Sequence, residues 1–194
     1  MRAIVTRGRR WRRPEPPTPA DLVTGFRGLL VLACAALVPA VDAGGGGARG
    51  WWLVGLAMLA WVLDGVDGYV ARRTSTVSER GALLDSGVDG TLVLVMSLAV
   101  AGVAPWSLVG GLLWPVFVLV QVWRPAWRRT LPHRRWRKVA GGTLTGTLVI
   151  GAAPFWPEVA VQVAVGLAVA LVVWSFAQDV AWLERMSKVC PETR

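Results

Sequence analysis

Four aspartates placed inside apolar stretches constrain this chain more than any other feature. Asp64, Asp67, Asp85 and Asp89 account for four of its 12 acidic residues, and each lies in a segment otherwise apolar enough for a bilayer. An ionised carboxylate at membrane depth costs about 3 kcal/mol even on lenient scales, so it needs a partner or a function. The bilayer follows from composition: 54% of the 194 residues are apolar, and the mean hydropathy is +0.50, far from a soluble average. That apolar fraction also excludes a disordered chain. Cys34 and Cys190 lie at opposite ends of the sequence, which excludes a disulfide-stapled domain, thiol chemistry and a zinc knuckle.

A span needs about 20 mostly apolar residues, and the sequence divides into six: about Leu22 to Val41, Trp51 to Ala71, Ala82 to Ala104, Trp106 to Trp123, Val139 to Phe155 and Val159 to Ala181. The breaks fall at Gly44 to Gly47, at the polar run Thr74 to Glu79, at Pro105, at the arginine-rich stretch Arg124 to Lys138, and at Pro154 with Pro157. Six spans put both termini and the two even-numbered loops on one side. Of the 21 lysines and arginines, seven lie in the N-terminal tail and the start of span 1 (Arg27 among them), three after span 2, seven after span 4 and three after span 6. Only Arg49 is left for the other face. The positive-inside rule makes the basic side cytoplasmic, so the +9 charge describes topology rather than nucleic-acid binding. Trp51, Trp52, Trp106 and Trp156 mark the outer interface, and Trp123, Trp127 and Trp182 the inner one. The N-terminus imitates a secretory signal, but its apolar run is too long for a typical h-region. Removing it would also leave five spans and break the charge pattern. The expected organisation is therefore a basic juxtamembrane tail over 1–20, a six-helix membrane domain over 21–183 and a cytoplasmic tail over 184–194.

Asp64 and Asp67 are three residues apart and Asp85 and Asp89 four apart, so each pair shares a helix face. Span 2 descends to the cytoplasmic side and span 3 returns, as an antiparallel hairpin. Counted from the expected span ends, Asp64 and Asp89 lie about 10 and 12 Å deep, and Asp67 and Asp85 about 6 Å. The two faces are expected to meet and place four carboxylates around one small polar cavity near the cytoplasmic surface. Four such charges cannot all remain ionised without cations. Neither pair has a lysine or arginine within it, and Arg72 alone is insufficient. Hard divalent ions fit: oxygen ligands select Mg²⁺ or Mn²⁺, and two ions balance four carboxylates. A paired-metal site of this kind implies phosphate chemistry.

The segment DGVDGYVARRTSTVSERGALLDSGVD, Asp64 to Asp89, resembles the signature of the CDP-alcohol phosphotransferase (CDP-alcohol phosphatidyltransferase) family, D-x2-D-G-x2-A-R-x8-G-x3-D-x3-D, at every fixed position. Upstream, Asp21-Leu22-Val23-Thr24 is similar to the N/D-x-x-T element that opens the family's first span and borders the nucleotide. The resemblance implies transfer of a phosphatidyl or other phosphoalcohol group from a CDP-linked donor to an acceptor hydroxyl, with release of CMP. It further implies that Asp64, Asp67 and Asp85 hold a first Mg²⁺ or Mn²⁺, that Asp85 and Asp89 help a second, and that Asp89 is the general base. The small residues Gly68, Ala71 and Gly81 clear the cavity rim for cytidine, Arg72 can pair with the donor phosphates, and Ser78 offers a hydroxyl. The resemblance also implies a homodimer.

For the acceptor, the informative stretch is WRPAWRRTLPHRRWRKVAGG, from Trp123 to Gly142, where Arg137 and Lys138 are best placed to hold a phosphate. Relatives using glycerol phosphate carry a Gly-Lys pair near this point, and Arg137 stands in place of that glycine. His133 reads as a solvated loop residue. Gly142-x-x-x-Gly146 is a close-packing signal, read as contact within the chain. The leading expectation is a membrane enzyme of phospholipid synthesis using CDP-diacylglycerol and a small phosphorylated polyol. The alternatives are a CDP-polyol donor without acyl chains, and, in a different class, an ion or proton carrier. A carrier would need carboxylates spread across the membrane, whereas these four cluster near one face.

Overall fold

The computed structural model describes residues 19–40, 48–74, 79–123 and 135–189; side chains at 19–21, 66–74, 79–80, 82–83, 135, 137–138 and 186–189, with a few single positions, lie outside the description. Six α-helices and no strands occur among the described residues: α1 (Pro19–Leu37), α2 (Ala48–Thr74), α3 (Glu79–Val100), α4 (Ser107–Trp123), α5 (Arg135–Gly151) and α6 (Glu158–Val189). Each matches one expected apolar stretch. Their first residues follow the chemistry of helix starts, with Pro19 opening α1 and acidic Glu79 and Glu158 opening α3 and α6. A short 3-10 turn, Val38–Ala40, ends α1.

The helices are arranged as α1 against α2, α3 against α4 and α5 against α6, with α3 also touching α1 and α5 and with α2 touching α5. One face of each helix supplies the core at helical spacing: Val31 and Cys34 on α1, Leu53, Ala57 and Ala60 on α2, and Val161, Val165, Ala168 and Val172 on α6. α1 lies along both α2 and α3, which share few close backbone contacts of their own among the described residues. The α3–α4 corner is tied by the Ser107 hydroxyl, which donates to the Ser97 carbonyl at 2.8 Å, and by the Gln162 side chain, which donates to the Val103 carbonyl at 3.1 Å.

Among the described residues only α6 is by itself long and apolar enough, over Glu158–Trp182, to cross a membrane; the apolar runs Leu22–Leu37, Gly50–Gly65, Ser107–Gln121 and Val139–Gly151 are shorter. Polar residues lie within these helices: Asp64 falls inside the α2 run, and the first half of α3 carries Asp85, Ser86 and Asp89. The outward faces are nevertheless apolar, with Leu29, Leu32, Leu167 and Trp174 each more than 60% exposed. At the bundle end opposite the four aspartates, Trp51 stacks on Phe155 at 6.0 Å and Phe155 meets Trp156 at 4.6 Å.

Close approach of α3 and α4 depends on Gly111, where a Cβ would fall 2.8 Å from Cβ and Oγ of Ser97 and 3.2 Å from the Leu94 backbone. Gly111→Ala is expected to destabilise the protein by about 1–3 kcal/mol. Gly55→Ala, whose Cβ meets nothing within 4 Å, should be neutral or slightly stabilising. Thermal unfolding of both variants in detergent checks this; equal midpoints would remove Gly111 from the helix contact.

Candidate active site

The site begins with a buried stripe on α1. Thr24, Arg27, Val31 and Cys34 recur at three- and four-residue spacing and all are buried, Arg27 completely. Its Cα lies about 12 Å along α1 from that of Pro19, and its guanidinium reaches the level where α2 presents Asp64 and α3 presents Asp85 and Asp89. Nη1 donates to Asp85 at 2.6 Å and lies 3.2 Å from Asp64. Nη2 donates to Asp89, and Nε donates to the Ala60 carbonyl at 3.2 Å. One planar fork therefore bonds carboxylates from two helices and a backbone oxygen.

This corrects one expectation. The aspartates are not without a basic partner, because Arg27, counted above as a topogenic charge, is the cation among them. The faces of α2 and α3 bring Asp64, Asp85 and Asp89 together, and α1 supplies the side chain that bridges them. Arg27 carried a signal in the sequence, since it shares a helix face with Thr24 and lies at nearly the same depth as Asp64 and Asp89. That signal was masked by the six other arginines of the N-terminal tail.

The convergence of the acids is otherwise as the spacing predicts. One oxygen from each of Asp64, Asp85 and Asp89 lies within 4.8 Å of the others, and their side chains are one-third to two-fifths exposed. Such an all-oxygen set, already gathered around a positive charge, fits a hard divalent cation of the Mg²⁺ or Mn²⁺ type. The backbone of Asp67 belongs to the same helix, one turn beyond Asp64, and its side chain lies outside the described residues. So do those of Asp21, Gly68, Ala71, Arg72, Arg137 and Lys138, while Ser78 and His133 lie outside altogether. Of the other residues expected at the donor, Thr24 is buried beside Arg27, Val23 is half-buried, Leu22 is 68% exposed on the outer side of α1, and Gly81 is half-buried in the first turn of α3.

A cavity of about 290 Å³ opens from Asp64 and Asp89 between α2, α3, α4, α5 and α6. Its walls are mostly apolar, dominated by Trp61, Trp114 and Phe176, with Gly141, Gly142 and Thr145 on the α5 side. Two glycines seat the tryptophans. A Cβ on Gly90 would collide with the Trp114 ring, and one on Gly146 would come within 2.9 Å of Trp61. Trp114 is also oriented by its indole N–H, which donates to the Ser86 hydroxyl at 3.3 Å. Thus Gly146 of the small-residue motif serves a contact within the chain, and Gly142 lines the cavity. Neither tryptophan was identified from the sequence, where tryptophan was read only as an interface marker.

The sequence model of a family described as CDP-alcohol phosphatidyltransferase matches residues 18–174 of the chain, from the start of α1 into α6, and so includes every residue just described except Phe176. No curated protein matches the chain.

Because three carboxylates share one guanidinium, their removal should be non-additive. Asp85→Ala or Asp89→Ala alone leaves Arg27 with two carboxylates, and stability should fall by less than about 1 kcal/mol. The double variant leaves one carboxylate for a buried cation. Its cost should reach about 2–3 kcal/mol, the lower part of the range for breaking a buried pair, because the acids are partly exposed. Detergent unfolding of the two single variants and the double variant gives the coupling; strict additivity would contradict the shared bridge.

Proposed function

The chain belongs to the CDP-alcohol phosphatidyltransferase family, and on that premise we propose that it is an integral membrane enzyme of phospholipid biosynthesis. It transfers a phosphatidyl group from CDP-diacylglycerol to the hydroxyl of a small phosphorylated polyol, of the glycerol 3-phosphate or inositol phosphate type, and releases CMP. The observation that carries this reading is the gathering of Asp64, Asp85 and Asp89 at the end of a largely apolar cavity. Carboxylates beside apolar walls favour a donor with a charged pyrophosphate and acyl chains over a CDP-polyol. The apolar outward faces and the Trp51–Phe155–Trp156 cluster support six membrane-crossing helices. In this reading the chain lies in the cell membrane with the site and both termini on the cytoplasmic side, and two copies form a homodimer.

Asp64, Asp67, Asp85 and Asp89 would hold Mg²⁺ or Mn²⁺, two per site, and such ions when bound neutralise charge on the pyrophosphate and on departing CMP. Asp21, Val23, Thr24, Gly68, Ala71, Arg72, Ser78 and Gly81 contact the CDP portion, and Leu22, on the outer side of α1, serves only the spacing of that element. Asp89 accepts the proton of the acceptor hydroxyl. The hydroxyl oxygen bonds to the phosphorus that carries the diacylglycerol, the bond from that phosphorus to the CMP oxygen breaks, and CMP leaves with the electron pair. Arg137 and Lys138 lie one helical turn before the cavity-lining Gly141 and Gly142, a register that supports their holding the acceptor phosphate.

CMP release from CDP-diacylglycerol should require a divalent metal, and full turnover in excess chelator would contradict the metal assignment. Asp89→Asn should lower kcat by about 10²–10⁴ while leaving donor affinity within about threefold, because the amide keeps the shape but takes no proton.

The acceptor reading is tested separately. Arg137→Ala and Lys138→Ala should each raise acceptor KM about tenfold to a hundredfold, with donor KM little changed. Unchanged acceptor kinetics in both variants, or a best acceptor lacking phosphate, would leave those residues with an orienting role only.

A further inference from the structure

We propose that Arg27 is a resident counter-cation that competes with divalent metal for the carboxylates, so that metal binding is an exchange rather than an addition. The proposal rests on the reading that Asp64, Asp85 and Asp89 take divalent ions. It deepens that reading by assigning a role to a residue outside the aspartate motif.

Three features of the geometry carry it. The guanidinium is fully buried and contacts all three of the clustered carboxylates, so it draws on the same oxygens a divalent ion would use. A carboxylate oxygen that accepts a charge-assisted N–H bond has less electron density to offer a metal. Nε, in contrast, is bonded to the Ala60 carbonyl and to no acid, which anchors the side chain at a point that metal binding does not contest. The fork can therefore yield its carboxylates while the stem remains in place. The arrangement also explains how a bundle can hold several acids at this depth and still fold before a metal arrives: one of their charges is always neutralised from within the chain.

A merely structural arginine and a competing one differ in the sign of one observable. Loss of a structural support would loosen the carboxylates and weaken metal binding, whereas loss of a competitor would tighten it. The test uses the full chain in detergent with Mn²⁺ alone as the probe, its binding followed by the paramagnetic resonance of the free ion and by calorimetry. Arg27→Gln should bind Mn²⁺ at least tenfold more tightly than wild type. Its unfolding temperature, lowered in chelator, should return to the wild-type range in saturating Mn²⁺. Arg27→Lys keeps the charge and should fold without metal, but it loses the fork and should bind Mn²⁺ about threefold or more tightly; it decides the matter alone if Arg27→Gln does not fold. Wild-type or weaker Mn²⁺ affinity in the folded variants overturns the competition while leaving the metal site standing. Absence of Mn²⁺ binding to wild type and variants at millimolar concentration overturns the metal site and the competition together.

Discussion

A guanidinium wholly removed from solvent must have its charge balanced and its N–H groups satisfied, and the bond network of Arg27 meets both demands by joining three helices. Asp64 comes from α2, Asp85 and Asp89 from α3, and the arginine itself from α1. This explains why α1 lies along both α2 and α3 while those two helices share few close contacts among the described residues. The carboxylates benefit equally. Separated from the arginine they would repel one another across a few ångström in a medium that screens poorly.

The requirements of the site and of the bundle conflict, and the conflict is visible in the helices. Asp64, Asp85 and Asp89 place polar groups within α2 and α3, and among the described residues α6 alone has the length and apolarity of a membrane span by itself. Stability is recovered through shape. Gly90 and Gly146 let the flat faces of Trp114 and Trp61 lie against α3 and α5, and Gly111 lets α4 approach α3. Those same tryptophans wall the cavity that reaches Asp64 and Asp89. Packing and the cavity are thus made by the same residues.

Much of this was legible in the sequence because it follows from helical period and apolar length. The six helices, the breaks between them and the convergence of Asp64, Asp85 and Asp89 all derive from spacing along one or two segments. What was not legible depends on which helix neighbours which. A single arginine near the end of an apolar run satisfies a topogenic reading as well as a buried one, and only the position of α1 between α2 and α3 distinguishes the two for Arg27. Trp114 on Gly90 is similar: the pairing joins residues on different helices, and neither residue alone signals the other. Of the two α5 glycines, Gly146 makes the expected contact within the chain while Gly142 lines the cavity, and the sequence could not show that the partner of Gly146 is an aromatic ring from α2.

The central claim is that the carboxylates gathered around Arg27 are where metal and the donor's pyrophosphate meet. Anomalous diffraction from crystals grown with Mn²⁺ and CDP-diacylglycerol tests it most directly. The account predicts Mn²⁺ peaks within coordination distance of Asp64, Asp85 and Asp89, bridged by donor phosphate oxygens, with fewer bonds from Arg27 to those acids. Donor density away from the aspartates, or Mn²⁺ bound elsewhere while the Arg27 network stays intact, would contradict it.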